Sequence, residues 1–278
     1  MDGFRNGDLV FDVHDAGPPD GEPVVLLHGF PQDAGAFDRL RPALHQSGLR
    51  TLAPDQRGYS PGARPPGRAA YRLRAVVDDV LALLDTAGLS SAHVVGHDWG
   101  GIAAWALAAW HPWRVRTLTA LSVPHPAAMG QALGHSDQAV RSAYVGFFQL
   151  PAVPEAALLA GRGALLRRLL GRGGLPDELA DRYVQRMREP GALTAALNWY
   201  RALPLAGGAP VGTVRVPTLH VWGARDPFLG RAATEATAGF VASSYALEVL
   251  EDVGHWVPEL AAGRTAELVT AHVRTAAG

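Results

Sequence analysis

Val94-Val95-Gly96-His97-Asp98-Trp99-Gly100-Gly101-Ile102-Ala103 joins an apolar run to a run of small residues through a turn bounded by glycines. The apolar run predicts a buried strand, and the segment from Gly101 predicts a helix that packs closely. Glycines on both sides of Asp98 let a strand turn sharply into a helix and leave the central side chain exposed. The stretch therefore predicts a reactive carboxylate at Asp98, although Asp is also favoured as a turn or N-cap residue.

Gly96-His97-Asp98-Trp99-Gly100 resembles the G-x-S-x-G nucleophile elbow of the α/β-hydrolases, with Asp98 where serine is commoner. A serine that attacks a saturated carbon gives an ether, which water does not readily cleave. A carboxylate gives an ester, which a second water can hydrolyse to regenerate the enzyme. Asp98 therefore predicts ring opening or displacement at saturated carbon rather than acyl transfer.

The composition is that of a globular protein with a large core. The chain has 278 residues, 48% of them hydrophobic, and a formal net charge of -1, so nothing suggests nucleic acid or an anionic membrane as a partner. It contains no cysteine and no lysine, which excludes disulfides, thiolate nucleophiles and Schiff-base chemistry. The polar start and the lack of a run of ~20 apolar residues predict a cytoplasmic protein without a membrane span.

A second motif follows the continuous apolar run Val24 to Leu27, which predicts a strand buried on both faces. His28-Gly29-Phe30-Pro31 comes at its carboxyl end and resembles the HGxP oxyanion loop of epoxide hydrolases. The resemblance implies that the backbone N–H groups of Phe30 and Trp99 hold an oxyanion, and that His28 and Pro31 border the substrate. The alternative is a plain tight turn with a buried His28.

The resemblance implies an α/β-hydrolase fold: a mostly parallel eight-stranded sheet flanked by helices, with an inserted helical cap. The β/α alternation stops after a strand predicted at Val115 to Val123 and resumes at Val216. We therefore expect a core of residues 1–124 and 213–278 and a cap, or lid, of residues 125–212. Four helical patterns fill the cap: Asp137 to Leu150, Glu155 to Leu170, Asp177 to Arg188 and Leu193 to Leu203.

Two tyrosines of the cap, Tyr144 and Tyr200, lie in segments similar to the cap segments of α/β-hydrolase epoxide hydrolases. The resemblance implies that both phenols hydrogen-bond the epoxide oxygen opposite the nucleophile, and a phenol can also protonate the alkoxide that forms. For either tyrosine alone, a hydroxyl satisfied at a helix interface is the alternative. Nearby aromatic residues predict an apolar substrate pocket: Phe147, Phe148, Trp199 and Trp256.

The acid and base candidates follow the last two predicted strands. Asp226 follows Thr218 to Gly223, and His255 follows Tyr245 to Leu250 in a Gly-His-Trp context. Asp98, Asp226 and His255 resemble the α/β-hydrolase chain order of nucleophile, acid and base. Glu251 and Asp252 are neighbouring carboxylates that could take the place of Asp226.

Together these motifs resemble those of epoxide hydrolases. The resemblance implies an enzyme that acts on a small apolar epoxide and water and needs no metal or organic cofactor. We expect a monomer or a homodimer. A haloalkane or haloacid dehalogenase is the alternative with the same nucleophile. Haloalkane dehalogenases usually carry asparagine where this chain has Phe30, and fluoroacetate dehalogenases typically carry arginine where it has Trp99. Both departures argue against a dehalogenase. A non-catalytic small-molecule receptor on a hydrolase fold is a third alternative, against which the full set of catalytic groups argues.

Two further expectations concern charged residues outside this set. We expect Asp55 and Arg57, in the loop after the strand Leu49 to Ala53, to pair with each other without a catalytic role. Asp78 and Asp79 are expected on the solvated face of the amphipathic helix from Tyr71 to Ala87.

Overall fold

The protein is built on an eight-stranded sheet whose spatial order is β1-β2-β4-β3-β5-β6-β7-β8. The computed structural model describes residues 1–205 and 210–275, so residues 206–209 of the predicted cap and 276–278 of the predicted core lie outside the described residues. The strands are β1 (Gly3–Asn6), β2 (Leu9–Ala16), β3 (Glu22–Leu27), β4 (Leu49–Pro54), β5 (Ala92–His97), β6 (Val115–Leu121), β7 (Thr218–Gly223) and β8 (Tyr245–Leu250).

The sheet is mixed at one edge and parallel across the rest. β1 and β2 form an antiparallel hairpin, and β2 also pairs antiparallel with β4. From β4 to β8 every neighbouring pair is parallel. β5 lies between β3 and β6 and is buried along its whole length, as its continuous apolar run predicts. The predicted fold class is therefore confirmed.

Helices cover both faces of this sheet, and a further short helix, α10 (Arg231–Ala236), lies between β7 and β8 in the chain. α1 (Arg41–Gln46), α11 (Val257–Leu260) and α12 (Ala262–Thr275) contribute to the apolar cluster on one face. α2 (Leu73–Thr86) and α3 (Trp99–Trp110) contribute to the larger cluster on the other face. Because the strands carry apolar side chains on both faces of the sheet, helices must cover each face to exclude water.

Six helices of the described chain lie between β6 and β7, and we call them the inserted helices: α4 (Pro126–His135), α5 (Gln138–Arg141), α6 (Ala143–Phe148), α7 (Val153–Arg172), α8 (Asp177–Met187) and α9 (Ala192–Ala202). The single helix expected from Asp137 to Leu150 is wrong, because the chain breaks at Ser142 into α5 and α6. α7 is also interrupted, since residues 160–163 leave the helical conformation and Gly161 and Gly163 have positive φ.

The expected pairing of Asp55 with Arg57 is wrong. Arg57 forms a two-point ion pair with Asp79, at 2.7 and 2.6 Å, while Asp55 accepts from the Ala34 amide at 2.8 Å and from Arg186 at 3.0 Å. Asp79 is 5% exposed. It lies in the buried stripe of α2, three residues from Val76, and Arg57 compensates its charge there. The expectation of a solvated Asp79 is therefore wrong as well.

Across residues 1–205 and 210–275, no helix is both long and apolar enough to cross a membrane.

Candidate active site

The turn between β5 and α3 holds Asp98 in an uncommon backbone conformation. Its φ is 50° and its ψ is −121°, which is costly for a residue other than glycine and persists only where the surroundings enforce it. A Cβ at Gly100 would collide with the carbonyl oxygen of Leu27, and a Cβ at Gly96 would collide with that of Gly100. The glycines therefore permit the close approach that points the Asp98 carboxylate into a cavity.

The Asp98 carboxylate lies between the loop after β3 and His255. Its Oδ1 accepts from the Phe30 N–H at 2.8 Å, and its Oδ2 lies 3.7 Å from His255 Nε2. Burial by itself would raise the pKa of Asp98, but the nearby positive charge of His255 and the hydrogen bond from the Phe30 N–H hold this pKa below its ordinary value. The carboxylate is therefore ionised at neutral pH. The Trp99 N–H opens α3 and has no hydrogen-bond acceptor among the described residues.

The loop that contains Phe30 is fixed by the buried side chain of Gln32, which the sequence analysis did not predict as a site residue. Gln32 Oε1 accepts from the Gly29 N–H at 2.9 Å, and its Nε2 donates to Glu259 at 2.7 Å. Tyr183 of α8 donates to the same Glu259 oxygen at 2.9 Å. Burial raises the pKa of Glu259. These contacts fix the loop whose Phe30 amide faces Asp98.

His255 is oriented by Asp226. Its Nδ1 lies 2.7 Å from Asp226 Oδ2, and the other Asp226 oxygen accepts from the amides of Phe228 at 2.7 Å and Leu229 at 3.1 Å. Burial opposes a charge on His255, yet the neighbouring Asp226 and Asp98 carboxylates raise its pKa to about 10. Glu251 and Asp252 are exposed, so the structure brings Asp226 and neither of them to His255.

Tyr144 on α6 and Tyr200 on α9 line the same cavity as Asp98 and His255. Their ring centroids lie 6.0 Å apart, and Tyr200 packs edge-on against Trp99 at 4.9 Å. Burial, together with nearby negative charge that includes Asp98, raises the pKa of both phenols. Both hydroxyls therefore remain protonated at neutral pH and can donate hydrogen bonds.

The cavity has a volume of about 490 Å³ and walls that are mostly apolar. Phe148 and Trp256 line it, as expected. Sequence reasoning missed the contributions of α7, α5 and the loop after Asp226, which supply Leu166, Leu169, Leu170, Arg172, Val140, Arg141, Pro227 and Phe228. The leucines of α7 indicated that one face of this helix is buried, but they did not indicate that this face lines the cavity. Among the described residues, no group of three or more His or carboxylate side chains could hold a metal ion.

Four residues expected at the substrate do not line this cavity: His28, Pro31, Phe147 and Trp199. His28 is fully buried and accepts from the Gln56 amide at 3.1 Å. Trp199 donates to the Arg57 carbonyl at 2.8 Å and packs behind Trp99. Phe147 stands behind Phe148, with ring centroids 5.9 Å apart. The structure therefore does not bring these four residues to the cavity that contains Asp98, and a contact of any of them with substrate stays a prediction.

Comparisons with known proteins agree with the fold. A family model described as alpha/beta hydrolase fold matches residues 22–262. AB hydrolase superfamily protein YfhM of Bacillus subtilis is 36% identical, and the match covers 92% of this chain and 93% of that protein. Epoxide hydrolase A of Mycobacterium tuberculosis is 32% identical over 89% of this chain and 88% of its own length. The crystal structure of Epoxide Hydrolase A from Mycobacterium thermoresistibile superposes with a TM-score of 0.84 at 27% identity, over 98% and 97% of the two chains.

The chain therefore belongs to the α/β-hydrolase fold family, and it is a hydrolase. Within that family it is an epoxide hydrolase-like member, as relatives and structural neighbours that carry this name match it over nearly its whole length.

Proposed function

We propose that the protein hydrolyses a small apolar epoxide to a vicinal diol through a covalent ester on Asp98. One observation carries the proposal: a single apolar cavity contains an ionised carboxylate, two protonated phenols and a histidine paired to a second carboxylate. This set matches what ring opening and ester hydrolysis require. The inserted helices, with residues 125–212 as the proposed cap, supply both phenols.

The first half-reaction opens the ring. A carboxylate oxygen of Asp98 attacks one oxirane carbon and forms a C–O bond, while the bond from that carbon to the epoxide oxygen breaks. The electron pair goes to the epoxide oxygen, which takes a proton from the hydroxyl of Tyr144 or Tyr200. The product is a 2-hydroxyalkyl ester of Asp98 and one tyrosinate, which recovers its proton from the His255 imidazolium.

The second half-reaction cleaves the ester. Neutral His255, held by Asp226, takes a proton from water while the water oxygen attacks the ester carbonyl. The amides of Phe30 and Trp99 stabilise the oxyanion. When the ester C–O bond breaks, the alkoxide of the diol takes the proton of the carboxylic acid formed on Asp98. His255 is again an imidazolium, and the sum is one epoxide and one water giving one diol.

Esterification changes the charge that His255 meets. In the resting enzyme, Asp226 and Asp98 both favour the imidazolium and raise the pKa of His255 to about 10. Once Asp98 is an ester it carries no charge, so the pKa of His255 falls and the imidazole can serve as a base. Before Asp98 attacks the epoxide, the His255 imidazolium thus stabilises the Asp98 anion. After the attack, the neutral imidazole can act as the base that activates water.

The test is the intact mass of the His255→Gln variant after incubation with styrene oxide. We expect a gain equal to the whole epoxide, because the ester forms but cannot be hydrolysed. The gain should be absent when Asp98→Ala is added. It should form more slowly when Tyr144→Phe and Tyr200→Phe are added, by roughly 100-fold or more, since the alkoxide then has no acid.

The same variant is also incubated with 1-bromobutane and with chloroacetate. An adduct from either halide, together with none from styrene oxide or 1,2-epoxyhexane, would overturn the proposal in favour of a dehalogenase. Unchanged mass with all four compounds, combined with recovery of intact epoxide from the wild-type protein, would overturn it in favour of a receptor.

A further inference from the structure

The loop that carries Asp226 is held by one of the inserted helices. We call residues 226–230 the acid loop. Within it, Asp226 Oδ1 accepts from the amides of Phe228 at 2.7 Å and Leu229 at 3.1 Å, which leaves Oδ2 for His255. The direction of the carboxylate therefore depends on where the backbone of residues 228 and 229 lies.

Gln138 of α5 fixes that backbone. Its side chain is fully buried, and its Nε2 donates to the Phe228 carbonyl at 2.8 Å while its Oε1 accepts from the Gly230 N–H at 2.9 Å. The amide thus bridges a carbonyl and an N–H two residues apart. A side chain with only a donor or only an acceptor could not make both bonds.

A second side chain of α5, that of Arg141, also binds the acid loop. Arg141 donates from Nη1 to the Asp226 carbonyl at 2.9 Å, and its Nε is paired with Asp137 at 2.7 Å. Three hydrogen bonds therefore join α5, a helix of only four residues, to the acid loop.

Gln138 also reaches the helix that carries Tyr144. Its Nε2 donates to the Ser142 hydroxyl at 2.9 Å, and Ser142 directly precedes α6. Phe228 of the acid loop packs edge-on against His255 at 5.1 Å and against Tyr144 at 5.7 Å between ring centroids. One buried amide thus contacts both the acid loop and the start of α6.

We propose that Gln138 is a positioning residue that fixes the acid loop to α6, so that Asp226 stays aligned on His255 while Tyr144 faces the same cavity. The inference rests on the proposed function for its kinetic consequence, since it assigns Gln138 to the step in which His255 activates water. Its structural consequence, the alignment of Asp226 with His255, does not depend on the substrate.

The test compares the wild-type protein with Gln138→Leu, which has nearly the same volume and no hydrogen-bonding group. We expect the low-field proton resonance of the His255 Nδ1–H, assigned by its loss in His255→Gln, to move upfield and broaden. In single turnovers of styrene oxide, we expect hydrolysis of the ester to slow by up to about 100-fold, as for a small misplacement of a catalytic group. Ring opening should slow less.

Two variants serve as matched controls. Gln149→Leu removes a similar amide from the inserted helices, one that donates to the Tyr200 carbonyl at 2.8 Å and does not touch the acid loop. Ser142→Ala removes the link to α6 and keeps both bonds to the acid loop. Both should retain the His255 resonance and the rate of ester hydrolysis, and Ser142→Ala, which releases only α6 and its Tyr144, should slow ring opening alone. Gln138→Asn keeps the amide but is one methylene shorter, and we expect a smaller change in the direction of Gln138→Leu.

An unchanged resonance and an unchanged rate of ester hydrolysis in Gln138→Leu would overturn the inference. So would an equal loss in Gln149→Leu, which would assign the effect to general packing of the inserted helices. The His255 resonance is measured without substrate. If the wild-type protein did not hydrolyse the epoxide, the proposed function would be contradicted, but the resonance would still test the role of Gln138.

Discussion

His255 meets a carboxylate at each ring nitrogen. Asp226 lies 2.7 Å from Nδ1 and Asp98 lies 3.7 Å from Nε2. Asp226 keeps its charge throughout the proposed cycle, whereas Asp98 loses its charge on esterification. Both carboxylates raise the affinity of the ring for a proton, but only the contribution of Asp98 is lost on esterification, while Asp226 continues to orient the ring.

Asp98→Asn removes that second charge and imitates the neutral ester. We expect the pKa of His255 to fall from about 10 toward the ordinary value, because the imidazolium loses one of the two anions that stabilise it. NMR titration of the His255 ring resonances measures this pKa directly. It requires no substrate.

Asp252→Asn is the matched control for this titration. Asp252 is three residues from His255 in the chain, is exposed and pairs with Arg225, so its removal should leave the titration of His255 unchanged. Equal pKa values of His255 in Asp98→Asn and the wild-type protein would contradict the assigned role of Asp98.

At the scale of elements, Arg57 joins the loop after β4 to α2. Besides its ion pair with Asp79, its guanidinium donates to the carbonyls of Ala70 at 3.1 Å and Ala75 at 3.4 Å. Asp79 also accepts from Asn6 of β1 at 2.8 Å. This pair therefore links the first hairpin, α2 and the loop that supports Trp199, and it is buried on both sides.

Asp78 and Asp79 provide a neighbouring pair for a stability test. Asp79→Ala leaves the Arg57 charge buried without its partner, so we expect a loss of about 3–5 kcal/mol in the free energy of unfolding. Asp78→Ala should change it by no more than about 0.5 kcal/mol, because Asp78 is exposed. Urea unfolding of the two variants measures the difference. Equal losses would mean that the ion pair does not stabilise the fold.

At the scale of the whole molecule, buried histidines make stability depend on pH. Burial lowers the pKa of His93, His125 and His220 to about 4 and that of His97 to about 3. These four stay neutral in the folded protein while the unfolded chain takes up protons below pH 6.5, so each destabilises the fold as the pH falls. Burial also lowers the pKa of other histidines, which act in the same direction: His28, His45, His111 and His272. His255 acts in the opposite direction, because its raised pKa makes the folded state bind its proton first.

We expect the free energy of unfolding to fall by at least about 4 kcal/mol between pH 7.5 and pH 5.5, because each of the four histidines contributes a loss of about 1.3 kcal/mol and His255 offsets one of these losses. Urea unfolding at the two pH values measures the change. His220→Asn removes one of the four groups and should reduce the difference by about 1 kcal/mol. Stability that is equal or greater at pH 5.5 would contradict this account.

The sequence predicted the candidate residues that follow the carboxyl end of a strand and missed those that face the cavity from elsewhere. Asp98 directly follows β5, while Asp226 and His255 lie in the loops after β7 and β8, and parallel strands bring such ends to one edge of the sheet. Gln138, Leu166 and Phe228 carry no comparable local signal, because their contacts lie far away in the chain. The same reason explains why the partner of Arg57 was predicted wrongly.

The sequence by itself determined the fold class, the turn at Asp98 and the presence of inserted helices, because these depend on local patterns: apolar runs, glycine spacing and helical periodicity. The prediction of Tyr144 and Tyr200 came from the resemblance of their segments to the cap segments of epoxide hydrolases. Only the tertiary structure decided which aromatic side chains line the cavity, that Asp79 is buried with Arg57, and that α5 holds the acid loop. Those outcomes depend on contacts between segments distant in the chain, where burial and unsatisfied hydrogen bonds select the partner.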